Sequence, residues 1–387
     1  MHQEIRLFPL LGGCVTVISI AAHILSSVHY TLTSAINFLG KGIHLKHPWI
    51  FRARRQILLG RRRALALELT NKCPLSCPGC YAYQPGHVLG RPLEWIQDYQ
   101  GDELLVAGVL ALLEERRPLG LFLVGGEPLV RIRELRALLP EICRRGIEVE
   151  VVTSGIVRIP SEWMQLKGLN VVISIDGLQP EHDRRRVPAT YERILENIEG
   201  RRVSIHCTIT SQMAKESGSL QRFLDFWSNR TEVQGIRMSL YTPQIGEISA
   251  EILNPEERIR IISELDRLRK GYPKLRHSDD MIEAYLNPPE APSSCVFARV
   301  TECVSADLET VVLPCQLGGE PDCRQCGCVA AVGMQAVSYH RLPGGLPVRE
   351  VFRVSNRIGA IVRAGRRKLR RNGRGRGVTV LIPEDNT

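Results

Sequence analysis

Cys73, Cys77 and Cys80 lie within eight residues, directly after an apolar run over residues 64–69. Thiols spaced in this way at the end of a strand are placed to hold a metal cluster. Three thiolates can bind three irons of a [4Fe–4S] cube and leave the fourth iron open to a small molecule, whereas a closed electron-transfer cluster needs a fourth nearby cysteine. Zinc sites usually pair two CxxC knuckles. Here the next cysteine after Cys80 is Cys143, so zinc fits this group poorly.

A second cysteine field follows far downstream: Cys295, Cys303, Cys315, Cys323, Cys326 and Cys328 fall within 34 residues. Six thiols suffice for one four-cysteine cluster and are too few for two. A structural zinc knuckle competes here, because CxxC with two distant cysteines also makes one. With nine of the twelve cysteines in two tight groups, the pattern points to metal in a reducing compartment rather than to disulfides. Cys14, Cys143 and Cys207 read as ordinary buried thiols.

The elements that must position these groups alternate regularly. Short β-branched runs predict strands over residues 64–70, 120–124, 147–153, 169–175, 203–209 and 235–240, and amphipathic spacing predicts helices over 103–116, 132–144, 191–198, 219–227 and 256–269. Six βα units in series imply a parallel α/β sheet, and one that curls into a partial barrel gathers its functional loops at the C-terminal strand ends. The motifs obey that rule. The first cysteines follow the first strand, Gly125-Gly126-Glu127-Pro128 the second, Thr153-Ser154-Gly155 the third, and Ser174-Ile175-Asp176-Gly177 the fourth. A charged run, Glu181 to Arg186, comes next, with Arg184, Arg185 and Arg186 able to reach a carboxylate or phosphate; as a charge run it also suits a solvated loop.

CxxxCxxC followed by GGEP at the second strand end resembles the radical S-adenosylmethionine (SAM) enzymes. The resemblance covers roughly residues 64–335. It implies an incomplete (β/α)6 TIM-like barrel in which Cys73, Cys77 and Cys80 hold the catalytic [4Fe–4S] cluster, and SAM is reductively cleaved to a 5′-deoxyadenosyl radical that abstracts hydrogen from substrate. Gly125 and Gly126 would let the backbone approach the methionyl ammonium, Glu127 would supply its negative partner, and Ser154, Ser174 and Asp176 would be polar groups of the site. Many relatives carry an aromatic residue just before the third cysteine. This chain has Gly79 there and Tyr81 immediately after, so Tyr81 joins the candidate cofactor contacts. The downstream cysteines resemble the auxiliary domain of SPASM and twitch proteins, with Thr310 in place of the customary turn glycine. That resemblance implies a second [4Fe–4S] cluster on Cys295, Cys315, Cys323 and Cys326, with Cys303 and Cys328 as substitutes.

The implied organisation is an apolar N-terminal segment with a basic flank (1–62), the partial barrel (63–270), a small cysteine-rich auxiliary domain (271–345), and a helix with a basic mobile tail (346–387). Residues 7–40 contain no Asp, Glu, Lys or Arg, long enough to cross a bilayer, lie in its interface, or cap the domain as helix. A cleaved signal peptide fits less well, since export would strand the cluster outside. The formal charge of +10 is concentrated near the two ends, where anionic lipid is a candidate partner. Nucleic acid is disfavoured, because no aromatic residue interleaves the basic tail. The expectation is a cytoplasmic enzyme touching the inner membrane face through residues 7–40 and acting on a lipid or isoprenoid, with a flavodoxin or ferredoxin as electron donor. A peptide or protein maturase is the alternative, and a non-catalytic iron–sulfur or nucleic-acid-binding protein the second.

Overall fold

The computed structural model describes residues 64–359, apart from 100, 189, 342–344, 346 and 356. The apolar run 7–40 and the arginine-rich tail beyond 359 lie outside the described residues, as do the expectations attached to them. Among the described residues no helix is long and apolar enough to cross a membrane.

Six strands alternate with helices: β1 (Ala64–Glu68), β2 (Gly120–Val124), β3 (Glu148–Thr153), β4 (Leu169–Ser174), β5 (Val203–Ile209) and β6 (Val233–Leu240). A seventh, β7 (Thr301–Val304), adds to the outer side of β1, giving the order β6-β5-β4-β3-β2-β1-β7 with every pair parallel. The sheet is not closed, because β6 and β7 do not pair. It is strongly curled, however. Arg237 on β6 donates to Glu150 on β3 at 2.6 Å, although two strands separate them in the sheet. Only a sheet bent into a trough lets those side chains meet.

The buried apolar residues of each helix recur at one face. In α1 (Asp102–Arg116) Leu105, Val109, Leu112 and Leu113 are buried, and in α2 (Ile132–Arg144) Leu135, Leu138, Leu139 and Ile142. This spacing makes one stripe along a 3.6-residue repeat. Past β4 come α3 (Glu181–Arg185), α4 (Tyr191–Ile198), α5 (Ser211–Lys215) and α6 (Ser219–Asn229). The stripe Leu220, Phe223, Leu224 and Trp227 of α6 is buried too. After β6, α7 (Pro255–Arg269) starts on a capping box: Asn254 accepts from Glu257 N–H while the Glu257 carboxylate accepts from Asn254 N–H, with Pro255 at the first helical position. Two donors at the helix start are thereby satisfied at a site where proline loses nothing.

The region of the second cysteine field adds α8 (Asp279–Leu286), α9 (Val296–Val300), β7 and α10 (Val329–Tyr339). This field is built onto the barrel's two open edges. Its strand β7 extends the main sheet at β1, while Gly327 accepts the Leu240 N–H at the end of β6 at 3.0 Å. Between Cys303 and Cys315 the chain makes a tight turn after β7. Val304 bridges Val311, Leu308 takes φ +63° in the turn, and Asp307 accepts from the N–H of Glu309 and of Thr310. Those bonds to Asp307 hold the turn that contains Thr310, where the resemblance implies a glycine.

One side chain fixes the approach to the first cysteines. Asp98 accepts from Thr70 Oγ1 (2.7 Å), Asn71 N–H (2.5 Å) and Arg131 Nη2 (2.8 Å), and Arg131 also pairs with the buried Glu134. Asn71 Nδ2 in turn donates to the Ile96 carbonyl at 2.6 Å. Asp98→Ala leaves a half-buried guanidinium and two further donors short of an acceptor, which costs about 2–3 kcal/mol. A lowered urea midpoint, accompanied by faster proteolysis near residue 72, is the expected result; an unchanged midpoint contradicts this role.

Candidate functional site

Once β1 ends at Glu68, the chain has one more ladder-like bond, Leu69 N–H to the Val124 carbonyl at 2.9 Å, and then runs irregularly through the cysteines to the short turn Tyr81–Tyr83. It is carried by the end of β2. Gly126 N–H donates to the Thr70 carbonyl (2.9 Å) and Glu127 N–H to the Lys72 carbonyl (2.8 Å). A Cβ on Gly126 would sit 2.1 Å from the Lys72 oxygen, and one on Gly125, whose φ is +125°, 2.8 Å from the Thr70 oxygen. The glycines are therefore required first by protein backbone against protein backbone, where the sequence reading gave them to the cofactor.

Glu127 departs further from its expected role. Its buried carboxylate accepts four hydrogen bonds: Leu129 N–H (2.9 Å) and Thr153 Oγ1 (2.5 Å) on one oxygen, Ser154 N–H (2.7 Å) and Ser154 Oγ (2.5 Å) on the other. A carboxylate with that many donors is saturated, so Glu127 ties the β2 end to the β3 end and has no lone pair left over for an ammonium. Ser154 likewise spends its hydroxyl proton on Glu127.

Cys73, Cys77 and Cys80 line one cavity of about 260 Å³, together with Tyr81, Gly125, Gly126, Glu127, Ser154 and Ser174. Burial pushes the Cys73 thiol up to about 11, the Leu75 N–H opposing it, and raises Cys77, with Arg186 opposing. Binding metal must therefore displace protons from these thiols. Among the described residues no three His, Cys, Asp or Glu side chains converge as a single-ion site. One thiolate per iron of a cube requires a wider spacing than four ligands on one zinc.

Asp176 is set back from the cavity wall. It is buried and accepts from Thr208 N–H (2.9 Å), Arg186 (2.8 Å) and Arg185. Burial alone would raise its pKa; the two guanidiniums and the Thr208 N–H outweigh it and hold the carboxyl well below the usual range. Arg185 is also gripped by Glu251, at 2.7 and 3.0 Å. Arg185 and Arg186 line the cavity, whereas Arg184 is exposed and pairs with Glu181. Asp176 thus orients the arginines that the cavity presents. Gly79 has φ +62°, and a Cβ there would lie 2.2 Å from Glu251 Oε2 and 2.9 Å from Tyr241, so an aromatic side chain is sterically excluded at that position. Tyr83 and Tyr241 line the cavity beside Tyr81.

The sequence reading missed the trough floor. Glu150, His206, Thr208, Arg237 and Ser239 line the same cavity. Asn170 donates to Glu150 (3.1 Å), Ser204 to Asn170 (2.8 Å), and His206 Nε2 lies 2.8 Å from Ser239 Oγ. Burial pushes His206 down to about 4, so the imidazole is neutral near pH 7. The signal was available: polar residues at alternate positions of otherwise apolar strands point to one face, as in Glu148-Val149-Glu150-Val151.

In the second field, Cys295, Cys315, Cys323, Cys326 and Cys328 surround a small apolar cavity of about 20 Å³. Cys303, on β7, does not line that cavity but packs in the same buried cluster as Cys295, Cys315, Cys326 and Cys328, within electrostatic reach of Cys315. Cys328, named as a substitute ligand, lines both this cavity and the larger one, and Gln316 Nε2 lies 3.2 Å from its sulfur. Arg258 of α7 pins the loop by donating to the Gln325 and Cys326 carbonyls at 3.0 and 2.8 Å.

Residues 67–213 match the family model described as the Radical SAM superfamily. The chain is 34% identical over 95 residues to a PqqA peptide cyclase of Granulibacter bethesdensis and 31% over 124 residues to one of Ruegeria pomeroyi, matches that cover 24% and 30% of this chain and 22% and 30% of those proteins. The matched region is thus less than a third of either cyclase. Among solved structures, native anSMEcpe with bound AdoMet shares the fold at TM-score 0.50 and 17% identity, covering 69% of this chain and 80% of that one. Streptococcus suis SuiB bound to precursor peptide SuiA does so at TM-score 0.50 and 13% identity, covering 70% and 63%. Three thiols on one cavity wall beside the glycine pair, with polar groups across the trough, fit a [4Fe–4S] cluster and SAM.

Gly126→Ala forces the Lys72 carbonyl off the β2 end, at a cost of about 1–3 kcal/mol for overpacking. Reconstitution of that variant should leave helix content by circular dichroism near wild type and sharply reduce the iron bound by the first cysteines. Full iron loading contradicts the docking described here.

Proposed function

We propose that this chain is a member of the radical SAM superfamily, whose family model matches residues 67–213, and that the substrate on which it acts is a peptide or a segment of protein. The observation that carries the proposal is the sequence similarity to two PqqA peptide cyclases. It favours the maturase alternative over the lipid or isoprenoid substrate towards which the N-terminal run leaned. The non-catalytic reading falls away, since the chain is an enzyme.

Bound together, a [4Fe–4S] cluster and SAM supply a 5′-deoxyadenosyl radical able to take hydrogen from an unactivated carbon. The hard chemistry belongs to the cofactors, and the protein's share is binding, orientation and exclusion of water. Cys73, Cys77 and Cys80 are the residues that would hold the catalytic cluster. Glu127 keeps the ends of β2 and β3 in register beneath them, and the Asp176–Arg185–Glu251 ion pairs brace Gly79 from the far side. Phe122, Val124, Val152 and Val172 make the apolar part of the wall, while Glu150, Arg237 and His206 offer hydrogen-bonding groups below it. A peptide suits such a lining, having side chains for the first and backbone amides for the second. Four of the five thiols around the small cavity would hold an auxiliary cluster, and Cys328 and Gln316 mark where that site meets the main cavity.

The electron must come from outside the chain, through a donor of the flavodoxin or ferredoxin type, in the reducing cytoplasm. Contact of the basic N-terminal flank with an anionic membrane belongs to the same proposal and rests on sequence alone.

One anaerobic experiment separates the substrate classes. The reconstituted protein is given SAM and reductant with a mixture of short peptides or with anionic vesicles carrying isoprenoid lipid, and 5′-deoxyadenosine is measured against the rate without substrate. Stimulation of about tenfold by peptides, with a new peptide mass, is expected. Stimulation by vesicles alone contradicts the peptide proposal.

A further inference from the structure

Arg186 follows the short helix α3 and is positioned by more than one bond. Its N–H donates to the His182 carbonyl at 2.8 Å, and its guanidinium holds Asp176 through Nε and Nη2, both at 2.8 Å. The neighbouring Val187 carbonyl accepts the N–H of Ser76 at 2.7 Å, so the chain beside Arg186 is bonded directly to the backbone between Cys73 and Cys77. The side chain lines the same cavity as the three thiols, and Cys77 and Arg186 lie within each other's electrostatic reach.

The local charges are unevenly shared. Arg185 is committed to two carboxylates, Asp176 and Glu251. Among the described residues Arg186 pairs with Asp176, which it shares with Arg185 and Thr208 N–H. Among the described residues, no bond is recorded to Arg186 Nη1. Arg186, always charged in a protein and held in place by backbone on both sides, therefore stands on the wall of the thiols' cavity, whereas Asp176 is set back from it.

We propose that Arg186 is a positioning residue that sets the reduction potential of the cluster held by Cys73, Cys77 and Cys80. Reduction passes one electron from the external donor into the cluster; no bond is made or broken, and one negative charge is added. A fixed cation nearby favours the more negative state, and net charge and hydrogen bonds to the sulfurs are among the terms that set iron–sulfur potentials. The effect does not depend on SAM or on any peptide. It rests on the superfamily reading of the site and not on the proposed substrate.

The test is an anaerobic redox titration of the reconstituted full chain without SAM, followed by electron paramagnetic resonance, after iron has been counted. Cys77→Ala supplies the signal of the second cysteine field for subtraction. Arg186→Gln should shift the first cluster's midpoint to more negative potential, Arg186→Lys should stay close to wild type, and Asp176→Asn, which removes the opposing charge, should shift it the other way. An unmoved midpoint in a fully loaded Arg186→Gln protein overturns the proposal, as does an Arg186→Lys midpoint displaced as far as that of Arg186→Gln. If Arg186→Gln fails to hold iron, Arg186→Met decides: a negative shift supports the assignment, and an unchanged or positive one overturns it. A wild-type protein that assembles no cluster would contradict the superfamily reading itself, a different result from a cluster whose midpoint ignores residue 186.

Discussion

The carbonyl of Lys72 resting on Gly126 is the contact on which the arrangement of the site depends. The segment from Leu69 to Tyr81 presents three thiols from backbone that forms neither helix nor strand, and irregular backbone supplies few of its own hydrogen-bond partners. The end of β2 provides them, through the N–H groups of Gly126 and Glu127, and only a residue without a Cβ lets the two chains come so close. Around that contact stand buried or half-buried carboxylates, each with its acceptors taken up: Asp98 below the loop, Glu127 beside it, Asp176 and Glu251 beyond. Unpaired charges at such depth would be costly. Paired, they make a rigid rim.

The same principle joins the two cysteine fields. Glu68 closes β1 and takes the Ser305 hydroxyl proton on one oxygen (2.6 Å), while its other oxygen lies 2.5 Å from His87 Nε2. The Leu317 carbonyl, 3.1 Å from His87 Nδ1, can only accept, so Nδ1 carries a proton. Gly318 packs where a Cβ would meet the His87 carbonyl at 1.9 Å, and Gly319 N–H donates to that carbonyl. One buried pair therefore fastens the segment after the first cysteines to both stretches that carry Cys303 and Cys315, and the ring of Tyr81 lies 5.6 Å from the ring of His87. The two fields share a mount, and a displacement of either reaches the other through it.

Much of the barrel was legible because its strands are short apolar runs and its helices carry clear stripes; 120–124, 203–209, 132–144 and 191–198 agree with the structure residue for residue. Gly235 misled the start of β6, which begins at Val233, because a glycine inside a strand reads as a boundary and here accompanies a register shift against β5. The parallel pairing of β7 with β1 could not be read, since nothing local in Thr301–Val304 names a partner more than two hundred residues away. The helices α8 and α10 were passed over beside the cysteines that flank them. At the site, spacing disclosed the thiols, the glycine pair and the strand-end motifs. It did not disclose direction: Asp176 is set back behind the wall and Glu127 spends its oxygens on protein donors, while His206 and Arg237 line the trough. The ligand set of the second field is likewise a question of distance. Cys328 lines the small cavity, whereas Cys303 packs among the same cysteines without lining it, a distinction that counting cysteines does not make.

The measurement that bears most directly on the central claim is 5′-deoxyadenosine formation by the anaerobically reconstituted protein given SAM and a strong reductant, with Cys77→Ala beside it. The account predicts nucleoside release by the wild-type chain, a change in the cluster's paramagnetic signal on adding SAM, and neither in the variant. An intact wild-type cluster whose signal ignores SAM and from which no nucleoside is released would contradict it.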